Sequence, residues 1–222
     1  MEPIKAKEGE IFDIELEEDL LKKNEELARK NRKILDEHKI LAIDVMGSIG
    51  TGKTSLIKGL IFHLKGKYEI GVIAGDLTTT IDQDRIKGEG IKVIQVNTGK
   101  ECHLDANLVK KALRKFDLRT LNLLFIENVG NLICPADFPL GSHRRIVVIS
   151  VTEGPWMVRK HPYIFSEADV VVINKIDLAE AMGVSPEKLA GDVYRLNPTI
   201  KVIPTNCITG KGMKEIIQAL PF

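Results

Sequence analysis

Gly47-Ser48-Ile49-Gly50-Thr51-Gly52-Lys53-Thr54 fits the spacing G-x-x-x-x-G-K-S/T, and Ser55 follows it. The flanks suit that motif, because an apolar strand pattern ends at Val45 and a helical pattern begins near Lys53. Phosphates are bulky anions, so the backbone must come close and present its N–H groups. Gly47, Gly50 and Gly52 allow that approach, with Ser48 and Thr51 between them. The start of the following helix adds partial positive charge. Lys53 is expected to reach the terminal phosphates of a nucleotide, and the Thr54 hydroxyl to ligate Mg²⁺.

A second group selects the base. The apolar run Val170–Ile173 leads into Asn174-Lys175-Ile176-Asp177. A carboxylate at Asp177 would accept hydrogen bonds from the guanine N1–H and 2-amino group. Adenine offers neither donor and would leave the carboxylate unpaired. The Lys175 stem can cover the ring face, and Asn174 can tie loops together. Four polar residues after a strand also make an ordinary turn, but the order after a phosphate loop favours GTP over ATP. Thr205-Asn206-Cys207 follows the last strand pattern, where Asn206 and Cys207 would meet the guanine carbonyl through backbone N–H groups.

The γ-phosphate side reads from Glu127-Asn128-Val129-Gly130 and from Asp76. Glu127 is placed to hold magnesium and Gly130 to offer its N–H to the γ-phosphate. Asp76, after the strand pattern Ile70–Ala74, either orients the attacking water, holds magnesium or caps a turn. Thr78, Thr79 and Thr80 are candidates for a phosphate-sensing switch or a solvated loop. No arginine or glutamine stands in an evident catalytic place, which implies slow intrinsic hydrolysis completed by a partner or a second subunit.

Cys102, His103 and Cys134 form the third group. Thiolate and imidazole suit Zn²⁺ or Ni²⁺. The spacing alone is weak, and buried cysteines are commonly just small apolar groups. Placement strengthens it: Cys134 lies within the segment that begins at Glu127. A metal held there would be coupled to nucleotide state, and three ligands leave a position open. His38, His63, His143 and His161 lack such neighbours and are expected in packing or solvent roles.

These residues need a frame. Apolar, β-branched runs alternate with helical patterns from Ile40 onward, without in–out alternation. That predicts an α/β fold of the P-loop NTPase type, a mostly parallel sheet with helices on both faces. Predicted strands are Ile40–Val45, Ile70–Ala74, Val93–Val96, Leu123–Ile126, Ile146–Val151, Val170–Ile173 and Val202–Ile203, and predicted helices include Lys53–Leu64, Leu104–Phe116, Pro186–Leu196 and Met213–Leu220. Residues 1–39 read as an N-terminal helical extension and 40–222 as the nucleotide domain. In the extension Leu20, Leu27 and Ile34 recur every seven residues, as do Leu21, Ala28 and Leu35, a narrow stripe that packs on the domain or pairs as a coiled coil. Of 222 residues, 32 are Lys or Arg and 31 Asp or Glu, a net charge of +1 that gives no reason to expect nucleic acid or a membrane surface. With no export signal and no membrane-length apolar run, a cytoplasmic protein with reduced thiols is expected.

Taken together, these motifs resemble the HypB family, the GTPases of NiFe-hydrogenase maturation that help deliver nickel. Four blocks carry the resemblance: Gly47–Thr54; Gly75-Asp76 with Asp82, Asp84, Arg85 and Ile86; Thr98-Gly99 with Cys102-His103-Leu104-Asp105-Ala106; and Glu127–Leu132 with Cys134-Pro135. The resemblance implies low-turnover GTP hydrolysis and a Ni²⁺ or Zn²⁺ site at Cys102, His103 and Cys134. It also implies a two-fold homodimer promoted by GTP or metal. Its partners would be other hydrogenase-maturation proteins and the hydrogenase large-subunit precursor. The first 40 residues contain no Cys and only His38, so the family's N-terminal nickel-storage stretch has no counterpart here. Thr205-Asn206-Cys207 departs from the usual Ser-Ala-Lys. Two other functions remain open: an accessory GTPase for another nickel enzyme such as urease, and a small-molecule P-loop kinase. The first would use a Cys-Pro-His ligand arrangement, which Cys102-His103 does not match.

Overall fold

The computed structural model describes residues 14–76, 91–99 and 101–221. Its strands are β1 (Leu41–Met46), β2 (Ile70–Asp76), β3 (Lys92–Asn97), β4 (Leu123–Glu127), β5 (Arg144–Ser150), β6 (Val170–Asn174) and β7 (Lys201–Pro204). They form one seven-stranded sheet in the order β3-β2-β4-β1-β5-β6-β7, and every pairing is parallel. Unbroken apolar runs belong in such a sheet because both faces are covered. Accordingly β4 and β6 are buried at every residue.

The helices among the described residues are α1 (Ile14–Glu37), α2 (Lys53–Leu64), α3 (Ala106–Leu113), α4 (Cys134–Asp137), α5 (Met157–Lys160), α6 (Pro162–Ser166), α7 (Ala179–Met182), α8 (Pro186–Leu196) and α9 (Met213–Ala219). Leu56 and Leu60 of α2 and Met213 and Ile216 of α9 cover one face, over Val45, Val72, Phe125 and Val148. The opposite face has two cores. Leu35 of α1 and Val109 of α3 cover Ile73 and Ile126, while Phe165 of α6 and Leu189 and Val193 of α8 cover Val147 and Val171. Predicted and observed elements agree to within a few residues. The largest shift is α3, which begins at Ala106 because Asp105 caps it, its carboxylate accepting from the Leu108 N–H at 2.6 Å.

α1 docks on the domain. Ala28 and Leu35 are buried and Leu21 is half-buried, whereas Leu20 of the other heptad row stays 52% exposed. Asn24 and Asn31 share the buried stripe. Asn31 Nδ2 donates to the carbonyls of Ala106 (2.7 Å) and Leu140 (3.1 Å), and Asn24 both accepts from the Ala106 N–H (2.8 Å) and donates to the Pro139 carbonyl (2.9 Å). His143 adds a further tie: it accepts from the Ala42 N–H at 3.0 Å and contacts the Asp36 carboxylate at 2.8 Å. No helix among the described residues is long and apolar enough to cross a membrane.

Candidate functional site

All seven strands run the same way, so the loops after β1, β3, β4, β6 and β7 leave from one edge of the sheet. β1 sits at its centre between β4 and β5. The connection after β1 runs towards β2 and the one after β5 towards β6, which opens a crevice at the end of β1. A cavity of about 660 Å³ lies there.

Gly50, Gly52, Lys53, Thr54 and Ser55 of the glycine-rich loop line that cavity together with Glu127 and Gly130 and with Asn174, Lys175, Asp177, Asn206 and Cys207. Gly47, Ser48 and Thr51 shape the loop from beneath. The Thr51 hydroxyl donates to the Ser48 carbonyl at 3.0 Å, and Lys53 Nζ donates to the carbonyls of Gly47 (3.0 Å) and Ser48 (3.1 Å). The lysine thus lies along the loop that phosphate oxygens would occupy. A larger groove of about 890 Å³ runs beside β7, where Lys201 and Lys211 mix with Glu187 and Glu215. It brings together none of the predicted residues, so the crevice at β1 is the candidate site.

Thr54 and Glu127 meet directly. The hydroxyl donates to Glu127 Oε1 at 2.6 Å, and both residues are buried. Mg²⁺ takes hard oxygen ligands, and this pair supplies two at the mouth of the phosphate loop. Asp76 is the last residue of β2, two positions beyond Ala74, which pairs in register with Glu127. Thr78, Thr79, Thr80, Asp82, Asp84, Arg85 and Ile86 lie outside the described residues.

Asn174 joins the two ends of the crevice. Its Nδ2 donates to the Thr51 carbonyl at 2.8 Å, and its Oδ1 accepts from the Cys207 N–H at 3.1 Å and the Thr205 hydroxyl at 3.3 Å. Lys175 then adopts a left-handed conformation (φ 60°), and the following 3₁₀ turn, Ile176–Leu178, carries Asp177 into the cavity wall. Burial pushes the Cys207 thiol up to about 11, against the bond from Thr205, so it behaves as a packing group.

Cys102, His103 and Cys134 come together although two elements separate them in sequence. Their ligand atoms lie within 4.8 Å of one another. Cys102 Sγ donates to Cys134 Sγ at 3.0 Å and lies 3.9 Å from His103 Nδ1. The His103 ring stacks on Phe138 at 3.9 Å between centroids. Burial lowers its pKa, opposed by Glu101, Asp105 and Asp137, which favours the neutral imidazole that binds metals. The hydrogen bond from Cys102, and then burial, raise the Cys134 thiol. A metal would replace the shared proton, because thiolate is the ligand form. Two sulfurs and one imidazole fit Zn²⁺ or Ni²⁺, and the three donors leave coordination positions for water or another molecule.

The Cys102–His103–Cys134 cluster and the phosphate loop are bound to each other. Gly47 pairs with Asn131 in an antiparallel bridge. A Cβ on Gly130 would lie 2.3 Å from Ile49 Cγ1 and 3.0 Å from its backbone, so only glycine lets the segment after Glu127 lie against the loop. Asn131 Nδ2 reaches the Cys102 carbonyl at 3.5 Å, and its Oδ1 accepts from the Ile133 N–H at 2.9 Å, one residue before Cys134. Asn128, Asn131 and Phe138 were not singled out by residue type. Their signal is positional, since all lie within twelve residues of Glu127 or beside Cys134.

A glycine-rich loop between a central parallel strand and a helix, with a buried Thr–Glu pair at its mouth, defines a P-loop nucleotide-binding protein of the all-parallel kind. The chain belongs to the CobW/HypB/UreG family, whose nucleotide-binding domain matches residues 41–204. It is 52% identical over 205 residues to the probable hydrogenase maturation factor HypB of Methanocaldococcus jannaschii, covering 92% of this chain and 93% of that protein. Among solved structures it is similar to the hydrogenase maturation factor HypB of Archaeoglobus fulgidus, with TM-score 0.83 and 47% identity over 88% of this chain and 96% of that one. HypB from Helicobacter pylori, solved in complex with nickel, superposes with TM-score 0.83 at 30% identity over 88% of this chain and 92% of that one.

Proposed function

We propose that this protein is a GTP-hydrolysing switch that carries nickel into a NiFe-hydrogenase precursor in the cytoplasm. The observation that carries this proposal is the cluster of Cys102, His103 and Cys134, whose Cys134 follows the segment bridged to the phosphate loop through Gly47 and Asn131. The similarity to hydrogenase maturation factors, one of them solved with nickel, supports the cargo. Residues 40–222 act as the GTPase domain and 1–39 as its N-terminal extension.

In this function Gly47, Ser48, Gly50, Thr51, Gly52, Lys53 and Ser55 hold the phosphates, and Asn174, Lys175 and Asp177 hold guanine, with Asn206 and Cys207 lining its pocket while their N–H groups bond Lys211 and Asn174. Thr54 and Glu127 hold Mg²⁺, which neutralises charge on the β- and γ-phosphates. Asp76 orients the attacking water or holds magnesium, and Gly130 offers its N–H to the γ-phosphate. Hydrolysis is slow without a partner. Cys102, His103 and Cys134 bind Ni²⁺ or Zn²⁺ as cargo, and a second copy of the chain pairs across the site when GTP or metal is bound. Other maturation proteins and the hydrogenase large subunit are the onward partners.

The test is metal stoichiometry beside nucleotide affinity. Cys102→Ala and Cys134→Ala should each abolish stoichiometric Ni²⁺ or Zn²⁺ binding while GTP still binds. Unchanged metal content in both variants refutes the cargo site. ATP that GTP cannot displace would refute the guanine preference. A monomer by light scattering with GTP analogue and metal together would refute the pairing.

A further inference from the structure

Asp44 stands in the middle of β1 with no exposed surface, and the nucleotide and metal roles above do not use it. Its Oδ1 accepts from Asn128 Nδ2 at 3.4 Å, and its Oδ2 has no hydrogen-bond partner. Asn128 is equally buried and is anchored to the same strand, its N–H donating to the Val45 carbonyl at 3.0 Å. Asn128 Oδ1 accepts from two amides at once, Leu104 N–H and Val129 N–H, each at 3.0 Å. Leu104 immediately follows His103, and Val129 begins the stretch that ends at Cys134.

A side-chain amide has one acceptor end and one donor end. If Asn128 turned over, its NH₂ would face two N–H donors and both would lose their partner. A carboxylate can only accept, so Asp44 fixes the donor end towards β1 and the acceptor end towards Leu104 and Val129. A neutral apolar side chain at position 44 would avoid burying a carboxylate, but would leave the buried Asn128 NH₂ without the acceptor that anchors it to β1.

We propose that Asp44 and Asn128 form a positioning pair that holds the Cys102–His103 loop in register with the segment carrying Cys134. Neither touches the metal. They act through the Leu104 and Val129 amides, as outer partners of ligands do in metal sites generally. The inference rests on the metal-binding function proposed above.

The experiment uses four forms of the full chain: wild type, Asp44→Leu, Asn128→Asp, and the reciprocal swap Asp44→Asn/Asn128→Asp. In Asn128→Asp both amides keep an acceptor, but two carboxylates face each other. In the swap the amide sits on β1 and donates to the new carboxylate, so every bond is restored. Each form is titrated with Ni²⁺ alone against a competing chelator at about pH 8, following the thiolate-to-nickel absorption band. Exchange of the Leu104 amide is measured on the metal-free proteins. Asp44→Leu and Asn128→Asp should each weaken Ni²⁺ about 10- to 100-fold and speed Leu104 exchange. The swap should return both values to within a few-fold of wild type. Wild-type affinity in both single variants, or a swap no better than Asn128→Asp, overturns the proposal. If wild type binds no Ni²⁺, the cargo function falls. Leu104 exchange then decides the positioning pair by itself: unchanged exchange in the variants overturns it, and faster exchange cured by the swap upholds it.

Discussion

Asp44 makes a quantitative prediction about stability as well. Burial raises its pKa from 3.8 to about 6, with Arg145 and the Asn128 amide working in the opposite direction. The folded carboxyl therefore keeps its proton to higher pH than the unfolded one. Between about pH 4 and 6 the native state binds more protons, so the stability this group allows falls as pH rises through that window. At 1.36 kcal/mol per pKa unit the change is at most about 3 kcal/mol. Asp44→Asn removes the titration and keeps an oxygen that can accept from Asn128. Its stability relative to wild type should rise by up to about 3 kcal/mol from pH 4 to pH 6 and stay level above that. Urea unfolding at a series of pH values measures both chains. A difference that is flat across pH 4–7 would refute the desolvation of Asp44. A difference that falls with pH would mean that Arg145 outweighs burial.

Three further outcomes follow from single contacts. Asn31→Ala removes a fully buried donor from the carbonyls of Ala106 and Leu140, and should cost about 1–3 kcal/mol in chemical denaturation; a loss under about half a kcal/mol would mean that α1 does not depend on this anchor. Asp177→Asn should exchange guanine for xanthine, because the amide matches a C2 carbonyl beside an N1–H, so competition binding should show XTP displacing GTP; continued preference for GTP would remove Asp177 from base recognition. With its pKa near 11, Cys207 should alkylate about a hundredfold more slowly at neutral pH than an ordinary thiol, read by mass spectrometry of partially labelled protein; rapid labelling would mean that the thiol is exposed.

The sheet, the phosphate loop and the turn Asn174–Asp177 at its crevice were legible because each rests on local pattern. Val170–Ile173 is apolar on consecutive residues, which only a two-sided sheet requires, and the chemistry of Asn174–Asp177 follows within four positions. Cys102, His103 and Cys134 were legible as residue types suited to a metal, but their meeting, which the family resemblance implied, was not legible from local pattern. It depends on the exits of β3 and β4, which no local pattern reports. The polar partners were the least visible. Asn24, Asn31 and Asn128 look like surface or turn residues in sequence, yet all are buried, because each supplies hydrogen bonds to backbone groups that α1 or a loop leaves without partners. α1 shows the same limit. The two heptad rows read as one narrow stripe, and the hydrogen bonds of Asn24 and Asn31, rather than apolar content, mark the side of it that faces the domain.

The proposed metal ligands follow strands that are not neighbours. β2 lies between β3, which leads to Cys102 and His103, and β4, which leads towards Cys134. The loop after β3 must therefore cross the end of β2 to reach its partner, and Gly75 is where it crosses. A Cβ there would lie 2.8 Å from Leu104 Cγ, 2.9 Å from its Cδ1 and 3.1 Å from the Glu127 carbonyl oxygen. Leu104 is fully buried and cannot swing away without leaving its core, while Glu127 is fixed by the β4 ladder. The strain must then appear as a shift of the loop that carries Cys102 and His103. Gly75→Ala should cost about 1–3 kcal/mol as overpacking, and should weaken Ni²⁺ about tenfold or more by parting the ligands. A folded Gly75→Ala protein with wild-type nickel affinity would show that the loop does not take its position from β2.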